Sequence, residues 1–244
     1  MATKTWFVTG ASRGFGREWT EAALERGDRV AASARDLATL LPLVAEYGDS
    51  LLPIGLDVTD ADAATAAVAR AYRHFGSLDV VINNAGYGLF GMVEELTGDQ
   101  VRQQMETNFF GALWVTQAAI PVMREQGSGH IIQVSSIGGV FSLPGLGGYH
   151  ASKWALEGLT SSLAMEVQGF GIAVTLVEPA GYATDWGTTS AVHAGRLAAY
   201  DDFRANLPVS ASAKRADPAA TRAAILARAS RLQPLRRAST RSAI

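Results

Sequence analysis

Six short apolar runs recur along the chain, at Thr5–Val8, Arg29–Ala34, Leu51–Leu56, Val80–Asn83, His130–Val134 and Ala173–Val177. They are rich in Val and Ile, and several lack the polar alternation of a strand with one wet face, which fits strands buried on both sides. Longer helical patterns fill the intervals, near Gly16–Arg26, Leu37–Tyr47, Ala61–Phe75, Gln100–Arg124 and Tyr149–Phe170. Strand–helix–strand repetition predicts a doubly wound parallel sheet in a three-layer α/β/α sandwich, with right-handed crossovers. Thr97 and Gln100 have capping-box spacing for the fourth helix. Gly27, Gly48, Gly76 and Gly127 fall where helices end in left-handed residues. The 244 residues contain no Pro/Gly/Ser linker and no repeat, so a single domain is expected. One insertion, Thr184–Pro208, follows the sixth run. It leaves the carboxyl end of a strand, where open α/β sheets bind ligands, so it reads as a lid, as packing on the rim, or as both.

Composition narrows the chemistry. With no cysteine, disulfides, thiolate metal sites and a cysteine nucleophile are excluded. His74, His130, His150 and His193 share no metal-ligand spacing, so no metal site is expected. The apolar run at Trp6-Phe7-Val8 is too short for a signal-peptide core, and nothing approaches the roughly 18 apolar residues of a membrane span. The expected location is the cytoplasm. From Lys214 onward there are eight basic residues against one acid, Asp217. A solvated helix and a frayed terminus, with no strand from Leu232 to Ile244, is favoured there over a nucleic-acid or membrane contact.

Gly10, Gly14 and Gly16 follow the first strand and open a helix. Glycine permits the tight turn and lets backbone approach a pyrophosphate, while the helix N-terminus offers unpaired N–H groups. The spacing Gly-x-x-x-Gly-x-Gly differs from the commoner dinucleotide fingerprint. Tyr149 and Lys153, thirteen and seventeen residues after Ser136, stand at i and i+4 on one helix face. A phenol titrates near 10, and a neighbouring ammonium is expected to lower that value.

Together, Thr9-Gly10-Ala11-Ser12-Arg13-Gly14-Phe15-Gly16, Asn83-Asn84-Ala85-Gly86, Asn108, Ser136, Tyr149-x-x-x-Lys153, and Pro179 with Thr184 resemble the short-chain dehydrogenase/reductase family in order and spacing, from residue 5 to about 186. The resemblance implies a Rossmann-type oxidoreductase that transfers hydride between a nicotinamide cofactor and a carbonyl or secondary alcohol. It makes Tyr149 the general acid/base, Ser136 the group that orients the substrate oxygen and Lys153 the holder of the nicotinamide ribose. Asn108 would anchor a water leading from Lys153 to solvent. Gly10, Ser12, Arg13, Gly14, Phe15 and Gly16 would cradle the cofactor. Asp57 would meet the adenine amine and Val58 its ring. Asn84 would steady the sheet while Ala85 and Gly86 approach the ribose. Pro179, Tyr182 and Thr184 would border the nicotinamide end.

Cofactor choice is read at the end of the second strand, where a carboxylate favours NAD and arginine favours NADP. Arg35 followed by Asp36 gives both signals. Arg13 adds a second guanidinium on that side, and NADP(H) is preferred over NAD. An NAD-linked alcohol dehydrogenase and a nucleotide-sensing regulator without turnover are the alternatives. The sequence departs from the family at Pro179-Ala180-Gly181, where glycine is displaced by one, and at the tail, where a seventh strand is usual. The helices Gln100–Arg124 and Tyr149–Phe170 resemble those that pair subunits, implying a homodimer or homotetramer.

Overall fold

The computed structural model describes residues 2–207 and 215–230. The strands are β1 (Thr5–Val8), β2 (Arg29–Ala34), β3 (Leu51–Gly55), β4 (Val80–Asn83), β5 (Leu89–Phe90), β6 (Gly129–Val134), β7 (Ile172–Val177) and β8 (Val192–His193). Six form one sheet in the order β3-β2-β1-β4-β6-β7, and every pairing is parallel. Pro53, which cannot donate to a ladder, lies on the edge strand β3. The chain winds outward from β1 to β3 and then returns to β4 on the other side of β1. That reversal opens a crevice at the carboxyl ends of β1 and β4.

The helices are α1 (Gly14–Glu25), α2 (Leu41–Tyr47), α3 (Ala61–Phe75), α4 (Gly98–Met105), α5 (Gly111–Gln126), α6 (Gly147–Glu166), α7 (Asp201–Ala205) and α8 (Arg222–Ser230). They cover both faces of the sheet. Along β1, Trp6 and Val8 enter the core under α1, α2 and α8, while Phe7 enters the opposite core under α3 and α5. This is the period-two alternation of a strand wetted on neither face.

Three helical expectations are modified. The segment expected as one helix over Gln100–Arg124 is α4 and α5 joined by a π-helical turn, Glu106–Phe110. The segment Leu37–Tyr47 begins as a 3-10 turn, Leu37–Leu40, capped by Asp36. The last long helix stops at Glu166 and is followed by a 3-10 turn, Gln168–Phe170. The Thr97/Gln100 capping box is present, with reciprocal bonds of 3.2 and 3.0 Å.

The basic tail is corrected in its first part. Its helix, α8, is not a solvated one, because Ile225 and Ala229 are buried in the core. Arg222 is held by Glu18, Glu21 and Glu25 of α1, with bonds of 2.7, 2.5 and 2.8 Å, and the Trp19 indole donates to Thr221 Oγ1 at 2.7 Å. Leu232–Ile244, expected to lack a strand, lies outside the described residues. No helix among the described residues is long and apolar enough to cross a membrane.

His130 on β6 is 2% exposed and shares a 2.8 Å hydrogen bond with Thr175 on β7. Burial, with smaller contributions from Lys4 and Arg228, pushes its pKa down to about 4. The native imidazole is therefore neutral where the unfolded one, titrating near 6.5, takes a proton. Stability should be full above about 6.5 and fall by about 3 kcal/mol as pH drops through 4. Urea titrations at pH 7 and pH 5 are expected to show this slope, flattened in His130→Gln. An equal slope in the variant would remove His130 as its source.

Candidate active site

The glycine turn is built as its sequence requires. Gly10 and Gly14 have φ of +64° and +54°, in the left-handed region. A Cβ on Gly16 would lie 2.3 Å from the Gly10 carbonyl oxygen and 2.5 Å from Asn84 Nδ2. Helix α1 starts directly at the turn, with no side-chain cap and no acid in its first turn. Its first N–H groups and positive dipole end are thus left without a carboxylate from the chain, as a site for an anionic diphosphate needs.

Asn84 is part of this construction. Its Nδ2 donates to the carbonyls of Thr9 and Gly10 at 3.0 and 3.1 Å, and its N–H donates to Thr9 Oγ1 at 2.9 Å. Ala85 N–H also donates to Thr9 Oγ1, at 3.0 Å. These bonds lash the end of β1 to the end of β4 across the switch point. Asn84 therefore shapes the turn. Thr9, singled out only as part of the motif, is the hub of the network.

At the outer end of the crevice, Asp36 Oδ1 accepts from Ala38 N–H at 2.9 Å and is engaged in its own turn. Arg35 is exposed beside it. Burial pushes the Tyr87 phenol up, against a smaller downward pull from the Arg35 guanidinium. Tyr87 follows β4 and Arg35 follows β2, the strands on either side of β1. Asp57 accepts from the N–H and hydroxyl of Thr59 at 3.0 and 2.8 Å, an Asx-type turn. Val58 is buried, where it excludes a side chain at Gly111.

Tyr149 and Lys153 emerge from α6 into the crevice, each 5% exposed. Lys153 Nζ lies 5.9 Å from the centre of the Tyr149 ring and donates to the Val134 carbonyl at 2.8 Å. Ser136, just past β6, lies near enough to the phenol to lower its pKa and accepts from Gly138 N–H at 3.0 Å. The expected lowering of the phenol by the ammonium is not found. Burial pushes Tyr149 up to about 12, opposed only by Ser136, and burial lowers Lys153 to about 8. Desolvation disfavours both charged forms, and the lysine's directed bond is spent on a backbone carbonyl.

Asn108 sits in the π-helical turn, fully buried. Its Oδ1 accepts from Tyr87 N–H at 3.1 Å, and its Nδ2 donates to the Tyr87 carbonyl and Ser152 Oγ at 3.0 and 3.1 Å. Extra-residue turns of this kind recur at functional sites. Here the turn aims Asn108 across to the chain after β4 and to α6. A Cβ on Gly86 would fall 3.0 Å from Asn108 Oδ1 and 3.8 Å from Lys153 Nζ, so these groups converge.

His150 receives a firmer role than the sequence suggested. Its Nε2 accepts from Leu143 N–H at 2.9 Å, which leaves Nδ1 to donate to the Gly138 carbonyl at 2.7 Å. Gly138 is the residue that orients Ser136, so His150 positions the serine loop. Pro179 supports the same loop through its carbonyl, which accepts from Ile137 N–H at 3.0 Å.

The insertion closes over this site. Tyr182 sets its ring edge against Phe15 at 5.0 Å, and its stretch pairs with Ala216. Thr184 lies against Gly14. Trp186 packs its ring 4.8 Å from that of Tyr149 and 5.2 Å from that of Phe90. The short parallel pair β5–β8 ties the insertion to the segment after β4. Farther out, Glu95 pairs with Arg204 and accepts from the N–H groups of Leu197 and Met92, both at 2.8 Å. The Arg204 hydrogen bond first, then those backbone bonds, bring the Glu95 carboxyl down to about 2. Trp186 was visible in the sequence only as one of several large residues in the insertion. The Glu95–Arg204 pair, 109 positions apart, carried no sequence signal.

Comparison with known proteins agrees with this arrangement. The family model described as short chain dehydrogenase matches residues 4–193. An oxidoreductase named BOA17 from Botryotinia fuckeliana is 47% identical over 77% of this chain and 69% of its own length. The crystal structure of a short-chain dehydrogenase from Streptomyces avermitilis superposes with a TM-score of 0.88 and 39% identity, covering 96% of this chain and 86% of that one. A 3-ketoacyl-(acyl-carrier-protein) reductase from Brucella melitensis, complexed with NADH, gives a TM-score of 0.78 and 27% identity over 91% of this chain and 89% of that one. The chain belongs to the short-chain dehydrogenase family, oxidoreductases that bind NAD(P) on a Rossmann-type sheet.

Proposed function

We propose that this protein is a reductase that uses NADP(H) to convert a ketone or aldehyde to the alcohol, and that runs in reverse on a secondary alcohol. The observation that carries the reading is the buried Tyr149 phenol near Ser136 and beside Lys153, at the mouth of the switch-point crevice. When bound, the nicotinamide supplies or accepts the hydride. Tyr149 Oη donates a proton to the substrate oxygen in reduction, and a phenol near 12 holds that proton firmly until alkoxide charge develops. Ser136 Oγ shares the same oxygen and stabilises that charge. Lys153 Nζ is positioned toward Gly86, where a ribose would approach, and Asn108 keeps that wall in place. Trp186 and the insertion keep bulk water from the reacting oxygen.

The NADP preference rests on Arg35 and Arg13, with Asp36 Oδ1 engaged in its own turn. The Brucella relative's NADH speaks for the alternative. In kcat/KM comparisons the wild type is expected to favour NADPH. Arg35→Ala should lose about 10–100-fold with NADPH and little with NADH, the worth of one charge-assisted bond. A wild-type preference for NADH would overturn this choice of cofactor.

A further inference from the structure

Three loops leave the carboxyl ends of β4, β6 and β7 and meet around Tyr149. They interlock: Gly91 N–H donates to the Gly145 carbonyl at 2.9 Å, and Ala194 N–H donates to the Phe90 carbonyl at 2.8 Å. Trp186 bears on the Tyr149 ring, and a Cβ on Gly88 would come within 2.8 Å of the Trp186 indole, so Gly88 gives that ring its seat. Phe90 packs on Trp186, and His193 stacks on Phe90 at 5.0 Å.

The outer surface of the same loops is apolar. Of the twelve large apolar side chains exposed among the described residues, half lie here: Val93, Ile137, Phe141, Leu143, Val192 and Leu197. Val93 is 76% exposed and Phe141 56%. A cluster of this kind at a site mouth marks a surface that an apolar ligand covers. The charge pattern agrees. From Ile137 to Gly148 there is no charged residue. The Glu95 carboxylate is neutralised by Arg204, and Glu94 accepts from the Tyr200 hydroxyl at 2.7 Å. The remaining charges of the loop after β7 are Glu178, Asp185 and Arg196, with the Arg215 guanidinium approaching Gly187, so neither sign prevails.

We infer that the substrate is a neutral carbonyl compound with an extended apolar chain, and that Trp186 is a specificity-determining residue that swings from the Tyr149 ring to wall the reacting end. The chain would lie along Phe141, Leu143 and Val93. This rests on the carbonyl-reductase reading and adds the substrate class to it. Hydrophobic burial then predicts a gain of about fourfold in kcat/KM for each methylene covered, the equivalent of about 0.8 kcal/mol.

The test uses methyl ketones from four to twelve carbons, with ω-carboxylated counterparts, read in two ways. Steady-state reduction is followed by NADPH and NADH oxidation. Calorimetric binding to the enzyme, with and without NADP⁺, reports affinity where no hydride can be delivered. Affinity and kcat/KM are expected to climb with chain length, and the neutral ketones should lead their acids. The double variant F141S/L143S should flatten the climb, and Trp186→Ala should shift the preference toward bulkier groups beside the carbonyl. A flat series, or acids favoured over neutral ketones, overturns the inference. Binding that climbs with chain length while no ketone is reduced would uphold the apolar site and sink the reductase reading alone.

Discussion

Tyr149→Phe is expected to lower kcat for carbonyl reduction by about 10²–10⁴-fold, the usual contribution of a positioned proton donor. The ring stays, so its packing against Trp186 stays, and thermal unfolding should remain close to wild type. The lost group is a buried hydroxyl that Ser136 serves, so the defect should fall on kcat rather than on cofactor affinity. The pH profile offers a companion check. Burial brings Lys153 down to about 8, so kcat/KM for reduction should decline as pH rises through that value and the ammonium is lost. Near-full activity in the phenylalanine variant would remove Tyr149 from the chemistry.

Gly16→Ala should be damaging out of proportion to the one methyl it adds. Its Cβ would meet the Gly10 carbonyl oxygen at 2.3 Å and Asn84 Nδ2 at 2.5 Å. The first of these is backbone that a side-chain rotation cannot relieve. Overpacking costs about 1–3 kcal/mol, and here the displacement acts on the turn that faces the diphosphate. We expect cofactor binding weakened about 10–100-fold by titration, with Tm lowered by about 2–10 °C. Wild-type affinity for NADPH in a folded variant would show that this turn does not set the cofactor site.

The sheet was legible because its strands are short unbroken apolar runs between helices, a pattern few other folds satisfy. β1, β2 and β4 match the runs residue for residue, and α3 spans Ala61–Phe75 and ends at Gly76 as expected. The π-helical turn at Asn108 was not legible, since one extra residue in a helix leaves no mark on an amphipathic pattern. The pair β5–β8 was not legible either: two residues per strand give no periodicity, and the pairing depends on how the insertion folds back. In the site, the family resemblance brought Ser136, Tyr149, Lys153 and Asn108 forward. Spacing cannot report desolvation, however. The ammonium was expected to govern the phenol, whereas in the folded chain burial acts on both groups and outweighs it. The role of His150 was not legible for a related reason, because its partners are main-chain atoms that any sequence would supply.

The seam between α1 and α8 bears on how the protein is made. Trp19 finds its hydrogen-bond partner 202 positions later, and Arg222 reaches back to Glu18 across 204. All six strands of the main sheet therefore precede, in order of translation, the α8 residues that complete the helix behind the glycine turn. Until Thr221 arrives, the Trp19 indole N–H must stay wet or go without a partner, and a buried orphan donor costs about 1–3 kcal/mol. The helix behind the glycine turn is thus completed by residues translated about 200 positions after it.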